Sequence, residues 1–138
     1  MQIEELRVGE VTILTVTGDF DARTLPVAAG RLDALLADLK IRIVFNLSSL
    51  EIVTSTAIGF LVDASKRARG LGGGLVVSAP SRLFRSTVDT LRIGEVLVMA
   101  PSDEEAVEQL QLREEAPESE TESNVPRGWR RFFGRRRR

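Results

Sequence analysis

The sequence "IRIVFNLSSLEIVTSTAIGFL", residues 41–61, holds the pattern that decides the fold. It begins with the nearly continuous apolar run 41–47, which is typical of a strand covered on both faces of a sheet. The three hydroxyl residues Thr54, Ser55 and Thr56 follow, and behind them apolar residues recur at helical spacing. This stretch therefore predicts a strand at the centre of the sheet that leads directly into a helix.

Predicted strands and helices alternate on both sides of this stretch. Parallel neighbouring strands need a crossover connection, so this alternation indicates a mostly parallel sheet covered by helices. The β-branched run 11–18 predicts a strand, and residues 1–7 predict a short edge strand hairpinned to it. The fold class is therefore α/β, a single domain with a mixed, mostly parallel sheet of four to five strands and about four helices. The other predicted strands are 74–79 and 96–99, and the predicted helices are 22–39, 55–69, 80–94 and 101–113.

Charge is strongly segregated at the end of the chain, although the net charge is only −1. Residues 114–122 contain five glutamates and no basic residue, whereas residues 127–138 contain seven arginines and no acidic residue. Residues 117–124 contain a proline, glutamates, serines and a threonine but no apolar residue, so this segment cannot bury enough surface to offset the entropy cost of folding. We therefore predict a folded domain at 1–113, an acidic disordered linker at 114–126 and a disordered basic tail at 127–138.

The composition argues against several kinds of chemistry. Histidine, cysteine and tyrosine are absent, so the chain has no imidazole base, thiolate nucleophile or Cys/His metal site. Asp19 and Asp21 lie two residues apart on a predicted turn and have no third ligand beside them. The glycines of 70–74 follow a predicted helix and precede a strand, which is the reverse of the order in dinucleotide-binding loops. We therefore predict a protein that is not an enzyme and that needs no cofactor or metal.

The sequence also predicts a location. Its apolar runs are shorter than roughly 10 residues, whereas a helix that spans a bilayer needs about 20. A cysteine-free chain without a recognisable signal peptide is most easily reconciled with the cytoplasm. We therefore expect a cytoplasmic protein, with attachment to the inner face of the membrane as the alternative.

Two stretches of the chain resemble the STAS family, whose simplest members are bacterial anti-sigma factor antagonists. One is "GDFDARTL", residues 18–25, which resembles the family's Gly-Glu/Asp-Leu-Asp loop. The other is "TSTAIG", residues 54–59, which resembles the family pattern Asp-Ser-Ser/Thr-Gly-Leu-Gly. Ser55 falls where the family carries its phosphorylated serine or threonine. The resemblance covers about residues 3–110 and implies a STAS fold with a protein-binding function.

The resemblance implies a partner-facing surface around this hydroxyl junction. Ser55 is the first candidate for phosphorylation and Thr56 is the second. Thr54 and Ala57 stand where the family has aspartate and glycine, so a STAS domain that is not phosphorylated remains an alternative. The implied partner is a protein, an anti-sigma factor with serine kinase activity. The residues implied to bind it are Asp19, Asp21, Thr24, Thr54, Ser55, Thr56 and Ile58.

The residues at this junction also permit two functions without the resemblance. The simpler is that the Ser55 hydroxyl caps the helix, which contributes about 1 kcal/mol. The other is that a phosphate occupies the same helix start, where unpaired N–H groups and the helix dipole favour negative charge. A phosphate adds about −2 charge, and such a charge buried without partners in an interface would dissociate the complex.

The basic tail has a composition suited to anionic surfaces. Arginines near an anionic membrane contribute about 1 kcal/mol each, and aromatic rings enter the lipid interface or stack on bases. A solvated tail that folds back on 114–122 and a peptide that docks on another protein are the alternatives. The residues predicted to contact an anionic membrane or nucleic acid are Arg127, Trp129, Arg130, Arg131, Phe132, Phe133, Arg135, Arg136, Arg137 and Arg138.

The leading functional hypothesis is a non-enzymatic regulatory module that resembles an anti-sigma factor antagonist and is switched at Ser55. One alternative is a STAS scaffold or adaptor that is not phosphorylated and is tethered to membrane or nucleic acid by the tail. Another is an accessory subunit of a transport system, which is a role of other STAS proteins.

Overall fold

The computed structural model describes residues 1–115, with side chains described up to residue 111. Strands and helices alternate along this part of the chain. The strands are β1 (Gln2–Val8), β2 (Val11–Phe20), β3 (Arg42–Val53), β4 (Gly74–Ser78) and β5 (Val98–Ala100). The helices are α1 (Leu25–Ala37), α2 (Ser55–Gly70), α3 (Arg82–Leu91) and α4 (Asp103–Glu115).

The five strands form one sheet in the order β1-β2-β3-β4-β5. β1 pairs with β2 as an antiparallel hairpin, and the other three pairings are parallel. The predicted α/β class, the edge hairpin and the central place of the strand that starts near residue 41 are all confirmed. Because β2 and β3 run in parallel, the turns that follow them lie at the same edge of the sheet.

Helices cover the two faces of the sheet unequally. Side chains alternate between the faces of a strand, so Leu14, Phe45 and Val77 pack with the buried residues of α1, α2 and α3. Their neighbours Ile13 and Val44 point to the opposite face, where α4 packs on the sheet through residues such as Ala106 and Leu110. Within residues 1–115, one face therefore carries three helices and the other carries one.

Several boundaries differ from the predicted ones for reasons visible in the backbone. β3 continues to Val53 through polar Ser48 and Ser49, because its last residues still pair with β2. α1 begins at Leu25 rather than at 22, since a turn precedes it. α4 continues to Glu115, past the predicted domain end at 113. The division of the chain stays a prediction, and the basic tail lies outside the described residues.

The glycine run 70–74 is a turn that ends α2 and leads into β4. α2 ends at Gly70, and Gly72 adopts φ 95°, a left-handed conformation that favours glycine. A Cβ atom on Gly73 would overlap with the backbone carbonyl of Ile41, and the N–H of Gly74 donates to that same carbonyl at 2.9 Å. The run thus allows the chain to pass close to the start of β3.

Candidate functional site

Thr54 joins the end of β3 to the start of α2. Its N–H donates to the carbonyl of Phe20 at 3.1 Å, which fixes the junction against the end of β2. Its Oγ1 accepts a hydrogen bond from the N–H of Ala57 at 3.3 Å, so Thr54 is the N-cap of α2. The prediction that Ser55 caps this helix is therefore wrong, because the helix begins at Ser55, one residue earlier than that function requires.

Ser55 and Thr56 are the first two residues of α2, and both are exposed. Neither hydroxyl makes a hydrogen bond to another residue within 1–115. Their backbone N–H groups belong to the first helical turn, which has no preceding turn to supply acceptors. The two predicted phosphate acceptors are thus accessible, and they lie where a helix favours negative charge.

Ile58 does not belong to this surface. Its side chain is fully buried in the core between α2 and the sheet, together with Ala57 and Leu61. It is therefore unable to contact a partner directly, and the prediction for Ile58 is corrected. Its position three residues after Ser55 turns it toward the sheet, whereas Gly59, the next residue, is exposed with open space around it.

The acidic loop between β2 and α1 is closed by its own side chains. The Thr24 hydroxyl donates to the carbonyl of Asp19 at 2.8 Å and accepts from the N–H of Asp21 at 3.1 Å. In return, Oδ1 of Asp21 accepts from the N–H groups of Arg23 at 3.0 Å and Thr24 at 3.1 Å. This reciprocal set holds the loop in one conformation and orders the start of α1.

The carboxylate of Asp21 is held in its charged form. Burial has the largest single effect and acts to raise its pKa. Hydrogen bonds from the Thr24 and Arg23 backbone and from the Arg23 guanidinium, with the positive charge of Arg23, together outweigh it and bring the pKa below its ordinary value of 3.8. Nη2 of Arg23 lies 3.3 Å from Asp21 Oδ2 and 3.8 Å from Asp19 Oδ2. At neutral pH this loop therefore presents two carboxylates beside one exposed guanidinium.

The structure brings the acidic loop and the hydroxyl junction together. Phe20 pairs with Val53 at the parallel ends of β2 and β3, so Asp21 and Thr54 follow directly paired residues. We call the surface formed by both segments the hydroxyl edge. It consists of Asp19, Asp21, Arg23, Thr24, Thr54, Ser55 and Thr56.

Apolar side chains flank the hydroxyl edge, and sequence reasoning missed them. Ile52, the residue before the end of β3, is 47% exposed. Val27 and Leu83 are also exposed, in the first turns of α1 and α3, which begin at the same edge of the sheet. Periodicity alone assigns these apolar residues to the core. Their exposure was indicated in the sequence only by their position close to a predicted helix start.

Neither a metal site nor a membrane span is found in the part of the chain that the structure describes. Within residues 1–115, acidic side chains form no group of three that could hold a metal ion. In the same range, no helix combines the length and the apolar character needed to cross a bilayer.

Comparison with known proteins identifies the family of this domain. Residues 4–99 match a family model described as Mlab, STAS domain. The chain belongs to the STAS domain family. No curated protein sequence matches the chain significantly.

Solved structures share this STAS fold at low sequence identity. The protein TM1081 from Thermotoga maritima has a TM-score of 0.73 at 18% identity, over 79% of this chain and 94% of that one. An anti-sigma factor antagonist from Mycobacterium paratuberculosis has a TM-score of 0.72 at 19% identity, over 80% and 93%. The Bacillus protein SpoIIAA in its phosphorylated form has a TM-score of 0.62 at 16% identity, over 78% and 97%. The similarity extends over nearly the full length of each of these chains.

Proposed function

We propose that this STAS domain is a non-enzymatic regulatory module that binds a protein partner through the hydroxyl edge and is released by phosphorylation of Ser55. The observation that carries the proposal is the exposed Ser55 hydroxyl at the first position of α2, which has no hydrogen-bond partner among the described residues. A hydroxyl that is not needed for capping is free to accept a phosphate without loss of the helix start. The fold similarity to SpoIIAA, solved in phosphorylated and unphosphorylated forms, supports the same function.

Thr54 explains how the junction departs from the family pattern and keeps its structure. Aspartate and threonine both cap helices well, so Thr54 supplies the hydrogen bond to Ala57 that an aspartate would supply. The exchange removes one negative charge next to Ser55. A phosphate on Ser55 would therefore meet the carboxylates of Asp19 and Asp21 across the edge but no carboxylate beside it in sequence.

The switch follows from the charge that a phosphate adds. Unphosphorylated, the edge offers hydroxyls, two charged carboxylates and flanking apolar residues, which suits a mixed polar and apolar interface. A phosphoserine adds about −2 charge at a position that the partner would cover. By resemblance, that partner is an anti-sigma factor with serine kinase activity, which would both bind the edge and modify it.

The test uses the full-length chain with kinase-type anti-sigma factors and ATP. Mass spectrometry should locate the phosphate on Ser55, with Thr56 as the minor site. Ser55→Ala should retain binding to the kinase, whereas Ser55→Asp should weaken it about tenfold or more, since a buried unpaired charge costs more than about 1.4 kcal/mol.

Ser86→Asp is the matched control, because Ser86 is an exposed serine in the middle of α3 and is not one of the residues of the hydroxyl edge. Its binding should equal that of the unmodified chain. Absence of phosphate from Ser55 and Thr56, with equal binding by Ser55→Asp and Ser55→Ala, would contradict the proposal.

The second candidate is a STAS scaffold that is never phosphorylated. The observation in its favour is Thr54, because the helix start is complete without the aspartate that precedes the acceptor in the family. This candidate predicts partner binding through the same edge with no modification by any kinase. The mass-spectrometric result separates the two.

A further inference from the structure

We propose that the basic tail, residues 127–138, docks on this domain's own β1–β2 hairpin. The docking surface lies on the same side of the sheet as α4, at the edge strand that α4 does not cover. We call this surface the hairpin face; it consists of Glu4, Leu6 and Val8 of β1 with Glu10 of the turn. It lies on the α4 side of the sheet, at the edge strand β1, and is separate from the hydroxyl edge.

The hairpin face carries apolar side chains without a covering element among the described residues. Directly opposite residues of an antiparallel pair point to the same face, so Leu6 lies beside Ile13 and Val8 beside Val11. Ile13 and Val11 are buried between the sheet and α4. Leu6, in contrast, is 60% exposed and Val8 is 37% exposed. The apolar layer beneath α4 therefore continues outward onto an open surface.

Acidic residues surround this apolar surface. Glu4 lies two residues before Leu6 and shares its face, and Glu10 is exposed in the hairpin turn. Glu104, at the start of α4, lies on the same side of that helix as Gln111, whose side chain reaches the turn. The basic residue of β1, Arg7, is directed to the opposite face, where it donates to Thr12 at 2.8 Å.

The charge balance of the chain favours its own domain as the site for the tail. Of the 20 acidic residues, 17 lie in residues 1–115, and of the 19 basic residues, seven lie in residues 127–138. An anionic membrane or a nucleic acid would attract the tail but repel the acidic domain that it is joined to. The hairpin face offers the tail both negative charge and an apolar surface.

The end of α4 places the tail within reach of the hairpin face. Nε2 of Gln111 lies 3.5 Å from where a Cβ of Gly9 would be, so α4 passes the hairpin turn near its own end. Leu6 is three strand residues from Gly9, a distance of about 10 Å. The 11 residues 116–126 connect α4 to the tail, and 11 residues reach at most about 36 Å. The covalent connection therefore keeps the tail at a high effective concentration near the face.

The tail matches the face in chemical character. Trp129, Phe132 and Phe133 supply large apolar rings, and each ring buries about 150–250 Å² when it packs fully. The rings would cover Leu6 and Val8. The arginines between them would meet the carboxylates of Glu4 and Glu10, where exposed pairs add orientation rather than much affinity.

The test follows Trp129, the chain's single tryptophan, in a chain without tyrosine. In the full-length protein its emission should be blue-shifted, and acrylamide should quench it less, than in a synthetic peptide of residues 127–138. Leu6→Ser should shift the emission toward that of the peptide, and Glu4→Gln should do so partly. Leu39→Ser is the matched control, because Leu39 is an exposed leucine that follows α1 on the other side of the sheet, and it should change nothing.

Circular dichroism and thermal unfolding of each variant would show that the fold is intact. Emission equal to that of the peptide in the full-length protein would overturn the proposal. A blue shift that appears only with phosphatidylserine vesicles or with RNA would also overturn it, in favour of an anionic surface. A blue shift that grows with protein concentration would overturn it as well, because it would place the tail on a second copy.

Discussion

α1 and α2 begin at the same edge of the sheet, and their starts are built differently. α1 follows a loop in which Asp21 and Thr24 satisfy each other's polar groups and hold Arg23 beside them. α2 begins with a single side-chain cap from Thr54 and leaves Ser55 and Thr56 exposed and without hydrogen-bond partners among the described residues. The difference shows how one edge of a sheet can combine a loop whose charged side chains are held in place with a serine that is accessible for modification.

The largest loss of stability is expected from Thr24→Val, which breaks the closed start of α1. The change removes the donor to the Asp19 carbonyl and the acceptor for the Asp21 N–H. Leaving two partly buried backbone groups unpaired should lower the free energy of unfolding by about 2 kcal/mol. Urea denaturation measures this loss. Thr90→Val on α3, where the hydroxyl is exposed, should stay within about 0.5 kcal/mol, and an equal loss in both variants would contradict the role given to Thr24.

A smaller loss is expected from Thr54→Val, which removes the cap of α2. The cost should be about 1 kcal/mol, since one helix-terminal N–H loses its side-chain acceptor. Thr54→Asp restores an acceptor and should recover most of that stability. If the valine and aspartate variants unfold at the same urea concentration, the capping function of Thr54 is disproved.

Ser55→Asp should act in the opposite direction and stabilise the fold. A negative charge in the first turn interacts favourably with the helix dipole, which is worth about 0.5 kcal/mol at an exposed site. Thermal unfolding of Ser55→Asp and the control Ser86→Asp would show this gain in the first variant alone. If the stabilised Ser55→Asp variant also binds the partner more weakly, the weaker binding is caused by the added charge and not by unfolding. A destabilised Ser55→Asp variant would mean that the helix start does not tolerate charge.

The smallest effect at neutral pH is expected from titrating Asp21, because its carboxylate is already fully charged there. Its pKa is lower in the folded than in the unfolded state, so it contributes stability above the ordinary value of 3.8. That contribution is lost as the pH falls through the lowered folded value. The stability difference between the unmodified chain and Asp21→Asn should therefore be constant from pH 7 to about pH 5 and shrink below pH 4. A difference that grows on acidification would contradict the direction of the shift.

Much of the fold was predictable because each strand and helix repeats one simple pattern. Apolar alternation and helical spacing report which face is buried, and these patterns gave the order of elements, the edge hairpin and the central strand. The extension of β3 through Ser48 and Ser49 was not predictable in this way, because polar residues stay extended there only through pairing with β2. Pairing between distant segments leaves no trace in local composition.

The site was predicted less completely than the fold. The resemblance located Ser55 and the acidic loop, and parallel strand ends explain why the two meet. Two adjacent hydroxyls offer the same local signal for a cap, so sequence alone did not separate Thr54 from Ser55. Ile58 was included in the partner-facing surface through the resemblance, but its side chain is fully buried in the core. A family resemblance locates a segment of the chain, whereas burial of one side chain in that segment is fixed by packing against the sheet.

Gly73 has a consequence for how the sequence can vary. Its Cβ position is occupied by the Ile41 carbonyl, whereas Gly30 and Gly59 are surrounded by open space. In a library that contains every single substitution, selected only for folded protein, variants at Gly73 should be depleted almost completely. Alanine at Gly30 or Gly59 should be enriched instead, because alanine favours a helix over glycine by about 1 kcal/mol. Glycines that look alike in the sequence would then differ sharply in the mutations they accept.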